Sequence, residues 1–199
     1  YTGCRTKELL NLKWRHITIN PNDNAFDRKT NRIVHIPADN SKTGRSRDII
    51  APIGQQIERL IRWYREMGLE VDQKSDRYVF PRLTDTTKNE NIPTSDVAWT
   101  KRLRNVLASA ERDGVIDLNG RNISNYCARH HHITEAIQRG VDIYDIALNC
   151  GTSLNYIEKT YSHITTLMRS RDITKGLGRQ ATYDPRKDEE YLKATRMGE

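Results

Sequence analysis

Hydrophobic positions along this 199-residue chain change period several times, and each change predicts a change of element. Leu9, Leu10 and Leu12 fall near helical spacing behind Thr6, whose hydroxyl suits the exposed amides of a first turn, so a short helix is predicted over 6–14. The run Trp14-Arg15-His16-Ile17-Thr18-Ile19 then alternates, as does Arg32-Ile33-Val34-His35-Ile36, and Asp48-Ile49-Ile50 follows. Between these runs lie the turn-rich Asn20-Pro21-Asn22-Asp23-Asn24 and a polar connection holding Lys42-Thr43-Gly44, which together predict a three-stranded antiparallel meander. Ile57, Leu60, Ile61 and Tyr64 return to the helical period between Gly54 and Gly68. Residues 69–93 read as irregular apart from Tyr78-Val79-Phe80. A helix over 96–113, capped by Ser95, is expected to bury Leu103, Val106, Leu107 and Ala110. Three more follow: 124–139 ended by Gly140, 142–150 ended by Gly151, and 153–162 opened by Ser153, with Leu154, Ile157 and Tyr161 on one face. The fold class expected is mainly α, a helical bundle carrying one small three-stranded antiparallel β-sheet.

This length supports one substantial core. Beyond about Gly176 the chain turns polar and charged, through Gly178, Pro185 and Arg186-Lys187-Asp188-Glu189-Glu190, and reads as an extension of that core. Because it opens on Tyr1 rather than Met, directly before a motif-like segment, the chain reads as a piece of a longer polypeptide. Lys and Arg total 33 against 26 Asp and Glu, a net charge of +7, which favours an acidic partner such as nucleic acid. Cys4, Cys127 and Cys150 have neither disulfide-framework nor zinc-site spacing, so a reducing compartment is expected. With no apolar run near the ~20 residues that span a bilayer and no signal-peptide h-region, a soluble, intracellular protein is expected.

The chemistry-bearing residues are few and far apart. Arg5 and Arg129 each offer a guanidinium fork that matches the oxygens of a phosphodiester. Tyr161 stands late, in Gly151-Thr152-Ser153-Leu154-Asn155-Tyr156-Ile157-Glu158-Lys159-Thr160-Tyr161-Ser162-His163. A lone helical tyrosine is usually packing. Lys42, with Arg45 and Arg47 near it, reads by itself as a turn lysine on ordinary DNA-backbone contacts. His130-His131-His132 is not read as a metal site, because consecutive helix residues point in different directions.

Taken in order, these segments resemble the tyrosine recombinases, the phage-integrase superfamily. The first box, a glycine before the arginine, an acid three positions after it and a leucine-x-tryptophan exit, is similar to Gly3, Arg5, Glu8, Leu12 and Trp14. The second, usually His-x-x-Arg-His, is similar to Tyr126-Cys127-Ala128-Arg129-His130, and the third to Tyr161-Ser162-His163. The resemblance covers about residues 1–176 and implies the DNA breaking-rejoining fold, with residues 177–199 as a segment exchanged between protomers and anchored by Tyr183, Tyr191 and Leu192. It also implies that the N-terminal part of the full protein, a core-binding domain, is missing here. The implied activity is site-specific cutting and rejoining of DNA through a covalent 3′-phosphotyrosyl bond, with no cofactor and no metal.

Under that resemblance Tyr161 attacks, Arg5 and Arg129 clamp the phosphate, and Lys42 protonates the leaving 5′ oxygen. Glu8, His130 and His163 orient the site, while Arg45, Arg47 and Lys13 contact DNA. Tyr126 and Thr152 depart from the commonest boxes, where histidine or tryptophan stands, and are similar to those of bacterial prophage and genomic-island integrases. Both can donate a hydrogen bond to phosphate, but neither titrates near neutrality as imidazole does, so the base for Tyr161 is left open. The implied partners are double-stranded DNA attachment sites, three further copies of the protein, and accessory DNA-bending or directionality factors, in the bacterial cytoplasm at the nucleoid. Three alternatives remain: a type IB topoisomerase, a catalytically silent DNA-binding module of the same fold, and a basic helical domain binding RNA or protein.

Overall fold

The structure, a computed structural model, describes residues 2–83 and 91–168. The chain divides into two compact units, residues 1–162 and 163–199. The expected exchanged segment with Tyr183, Tyr191 and Leu192 lies outside the described residues, as does the His163 side chain.

Helix α1 spans Thr6–Leu10 and is shorter than the 6–14 predicted, with Arg5 rather than Thr6 at its N-cap. It stops because the backbone of residues 12–14 is taken up elsewhere. Val79 N donates to Leu12 O (2.8 Å) and Trp14 N to Arg77 O (3.0 Å), so the short Tyr78-Val79-Phe80 segment pairs with the exit of the first box. Trp14–His16 is a 3₁₀ turn. Strand β1 keeps only Ile17–Thr18. Helix α2, Ala25–Thr30, stands where the sequence pattern predicts no element. The Asn24 side chain, which reads as a turn signal, caps it by accepting from the amides of Phe26 and Asp27 (2.9 Å each). Strands β2, Arg32–Ile36, and β3, Arg47–Ala51, complete an antiparallel sheet in the order β1-β2-β3, with register Ile17↔Val34 and Ile33↔Ile50.

Alternation along β2 and β3 sends Val34, Ile36, Ile49 and Ala51 inward. There they meet Leu12, Trp14 and Val79, and the Ile57, Ile61 and Tyr64 face of helix α3, Gly54–Glu66. The buried Tyr64 hydroxyl is satisfied by Val79 O (2.7 Å).

Helix α4, Asp96–Arg112, is capped by the Ser95 side chain as predicted. It has no fully buried residue, however, and Val106, expected inside, is 65 % exposed. Helices α5, Asn125–Gln138, α6, Ile143–Cys150, and α7, Leu154–Met168, bury a second apolar set: Ile133, Ala136, Ile137, Ile146, Ala147, Cys150, Ile157 and Tyr161. Leu154, grouped with Ile157 and Tyr161 by the sequence pattern, is exposed. Helix α6 is tied to the sheet edge: the Asn149 side-chain oxygen accepts from Ile50 N (2.9 Å), and its amide donates to Ile50 O (3.4 Å). No helix among the described residues is long and apolar enough to cross a membrane.

Candidate active site

Gly151 follows α6 in the left-handed conformation, φ 62° and ψ 51°, which halts the helix and leaves its last carbonyls facing outward from the turn. Three guanidinium groups gather on those carbonyls. Arg5, at the entry to α1, donates Nη2 to Gly151 O (2.8 Å). Arg129, from α5, donates Nη1 to Cys150 O (2.7 Å) and to Gly3 O. Arg47, from β3, donates Nη2 to Cys150 O (3.4 Å) and lies flat against Gly151, where an added Cβ would sit 2.4 Å from its Cζ. The carbonyl end of a helix is the negative end of its dipole, so a cluster of cations is electrostatically matched to this place.

The counter-charge is Glu8, 1 % exposed at the third position of α1. Its Oε2 accepts from the Arg5 amide (3.0 Å) and from Arg47 Nη2 (2.6 Å), and its Oε1 from Arg5 Nη1 (3.0 Å) and Arg47 Nη1 (3.2 Å). Burial pushes the Glu8 carboxyl up, but the bonds from Arg47 and the Arg5 amide outweigh it and hold the group below its ordinary value. One carboxylate therefore sets the attitude of two arginines.

Arg47 differs from the sequence reading. It is not displayed as a DNA contact: its side chain is 13 % exposed and its two terminal nitrogens are spent on Glu8 and a carbonyl. Arg45 is exposed on the β2–β3 connection, and Lys13 faces Asp76 (3.4 Å) and the Tyr78 ring.

In front of the arginines opens a cleft of about 730 Å³, and Arg5, Lys42, Tyr126, Arg129 and Thr152 all line it. Lys42 stands exposed on the β2–β3 connection. That connection is anchored to α1 by Asn40, whose amide donates to Glu8 O (3.0 Å) and whose oxygen accepts from Asn11 (3.1 Å). Tyr126 is half-exposed, and its hydroxyl pairs with that of Tyr156 (2.9 Å), which also lines the cleft. This hydrogen bond is the first reason that the Tyr126 phenol is raised above its ordinary value. Sequence reasoning missed Tyr156: 30 residues separate it from Tyr126, and no local periodicity links them.

Tyr161 does not line the cleft. It is buried at 3 % exposure, with its hydroxyl 2.5 Å from His130 Nδ1, and burial first, then the fields of Tyr156 and Tyr126, push its phenol up to about 12. The Tyr126 ring, which lines the cleft, stands edge-on to the His130 ring at 4.5 Å. The neighbouring histidines diverge: the His132 ring packs near Gly3, with burial holding it down to about 4, and His131 faces a separate groove.

No family model and no curated protein matches the sequence. Among solved structures the chain is similar to XerH site-specific recombinase bound to palindromic difH substrate in a post-cleavage complex, with a TM-score of 0.60 and 18 % identity. It is also similar to the pre-cleavage complex of XerH with difH substrate, at a TM-score of 0.56 and 18 % identity. Both alignments cover 89 % of this chain and 43 % of the other, so the chain spans less than half the length of those proteins. The fold, mainly helical with a three-stranded antiparallel sheet, is that of the tyrosine recombinase catalytic domain.

Proposed function

We propose that the chain is the catalytic part of a site-specific DNA recombinase that cuts and rejoins strands through a covalent 3′-phosphotyrosyl intermediate, with Tyr161 as nucleophile. The observation that carries this reading is the convergence of Arg5, Lys42, Tyr126, Arg129 and Thr152 on one cleft, from four separate parts of the fold. A phosphodiester under attack gains charge on its non-bridging oxygens, and preorganised donors stabilise that charge without reorganising during the reaction. Arg5 and Arg129 supply such donors, already oriented by Glu8 and the α6 carbonyls. Tyr126 and Thr152 add hydroxyl donors, and Lys42 delivers a proton to the departing 5′ oxygen. The phosphotyrosyl bond conserves the energy of the broken linkage, so rejoining needs neither ATP nor metal.

The partners of this reading are double-stranded DNA attachment sites, with four copies acting on two duplexes and accessory DNA-bending or directionality factors. The net charge of +7 supports an electrostatic share in binding. The boxes around Tyr126 and Thr152 point to integration or excision of a phage or mobile element. One observation favours a second reading, a catalytically silent DNA-binding module: Tyr161 is buried and is not among the residues that line the cleft.

Covalent trapping decides between them. The protein is incubated in EDTA with nicked suicide duplexes drawn from the DNA flanking its gene, beside Tyr161→Phe. A denaturant-resistant adduct formed only when Tyr161 is present supports the recombinase. Binding to a duplex without any adduct supports the silent module.

A further inference from the structure

With Tyr126 and Thr152 in place of imidazole-bearing residues, the described residues lining the cleft include no imidazole, yet a tyrosine attacks phosphorus far better as phenolate. We infer that His130 is the proton acceptor for Tyr161, a role that rests on the recombinase reading above. The contact is direct, 2.5 Å from the phenolic oxygen to Nδ1, with the two rings 5.8 Å apart and tilted by 48°. A buried phenol is protonated at neutral pH, so the Tyr161 hydroxyl is the donor and Nδ1 the lone-pair acceptor, which places the proton of the neutral imidazole on Nε2.

Packing fixes this arrangement. The Tyr126 ring stands edge-on against the imidazole, and Tyr126 is in turn held by the Tyr156 hydroxyl, so the tyrosine that departs from the usual second box walls in one side of His130. Among the described residues, the ring contacts to the imidazole come from Tyr126, on its own helix, and Tyr161, on α7. Arg129 acts on Tyr161 through its field and favours the phenolate.

The step balances within the site. The Tyr161 O–H bond breaks as an N–H bond forms at Nδ1. The phenolate oxygen bonds to phosphorus, the bond from phosphorus to the 5′ oxygen breaks, and that oxygen takes a proton from Lys42. An imidazolium and a neutral amine remain, and rejoining returns both protons by the reverse path.

The test is single-turnover adduct formation on the suicide duplex, measured against pH for the protein, His130→Asn and His130→Ala, each first checked for folding by circular dichroism. A proton acceptor at this position predicts a wild-type rate that falls as pH drops and imidazole protonates. Both variants should lose about 10²–10⁴-fold at neutral pH and gain rate as pH rises. Free imidazole should restore part of the His130→Ala rate in proportion to its neutral form. His130→Asn, which keeps a polar contact, separates proton transfer from positioning: a rate within a few-fold of wild type with an unchanged pH profile overturns the inference. So does a folded His130→Ala that imidazole leaves unrescued. If His130→Ala does not fold, the His130→Asn profile decides. Absence of any Tyr161-dependent adduct in the wild-type protein overturns the recombinase reading itself, a distinct result.

Discussion

The two cationic sides of the cleft are built differently. On the α6 side, Arg5, Arg47 and Arg129 are bonded to backbone carbonyls and to a buried carboxylate. On the β2–β3 side, Lys42 is exposed, and no described residue holds its ammonium. A cation that stabilises charge through the whole reaction is best fixed beforehand, whereas one that gives up a proton at a single step is better left solvated until substrate arrives. The difference teaches where stability and activity should separate under mutation.

The sharpest break is Lys42→Ala. Under the proposed proton-donor role, cleavage should fall about 10²–10⁴-fold while the unfolding free energy moves by less than about 0.5 kcal/mol. A duplex whose bridging 5′ oxygen is replaced by sulfur should recover most of the rate, because a thiolate leaves without a donated proton. A large loss of stability, or no recovery with sulfur, would break the comparison.

On the fixed side the expected losses are reversed in kind. Glu8→Ala leaves Arg5 and Arg47 without their shared counter-charge and should cost about 3–5 kcal/mol of stability, as removal of one member of a buried pair does. Urea unfolding measures it. Because folding lowers the Glu8 value from 4.5, its contribution is complete above that pH and disappears as pH falls through the carboxylate range to the depressed folded value. A Glu8→Gln variant should show a shallower loss of stability on acidification than wild type. Gly151→Ala should cost about 1–2 kcal/mol for the left-handed backbone, with a further penalty because the new Cβ meets the Arg47 guanidinium.

The smallest expected effect is also the most instructive about sequence. Val106→Lys should change stability by less than about 0.5 kcal/mol, although the helical pattern of α4 groups Val106 with Leu103 and Leu107 as core. Periodicity reveals that a helix is amphipathic, and it does so here. It does not say how much of the apolar stripe finds a partner, and α4 lies against its neighbours with only a half-buried face.

The sheet was legible because alternation is a local property with a single inward answer, realised by Val34, Ile36, Ile49 and Ala51. The helix ends at Gly68, Gly140 and Gly151 were legible for the same reason, since each has a positive φ that favours glycine. Helix α2 was not, because a capping asparagine and a turn asparagine are the same residue. In the site, Arg5, Arg129, Tyr126 and Thr152 are named from spaced boxes and Lys42 from its place between the second and third strands, and the structure gathers these five on one cleft. The inward turn of Arg47 and the pairing of Tyr126 with Tyr156 depend on long-range packing that no local pattern encodes.

The anchorage of the arginines on the last carbonyls of α6 has a bearing on sequence drift. A main-chain oxygen is present whatever side chain follows it, so the acceptors at positions 150 and 151 survive every substitution that preserves the turn. The requirement at these two positions is thereby one of conformation rather than of side-chain chemistry. Substitutions at the exposed side chains of α6, such as Tyr144 and Leu148, leave all three guanidinium groups their acceptors, provided that Gly151 keeps the chain turning left.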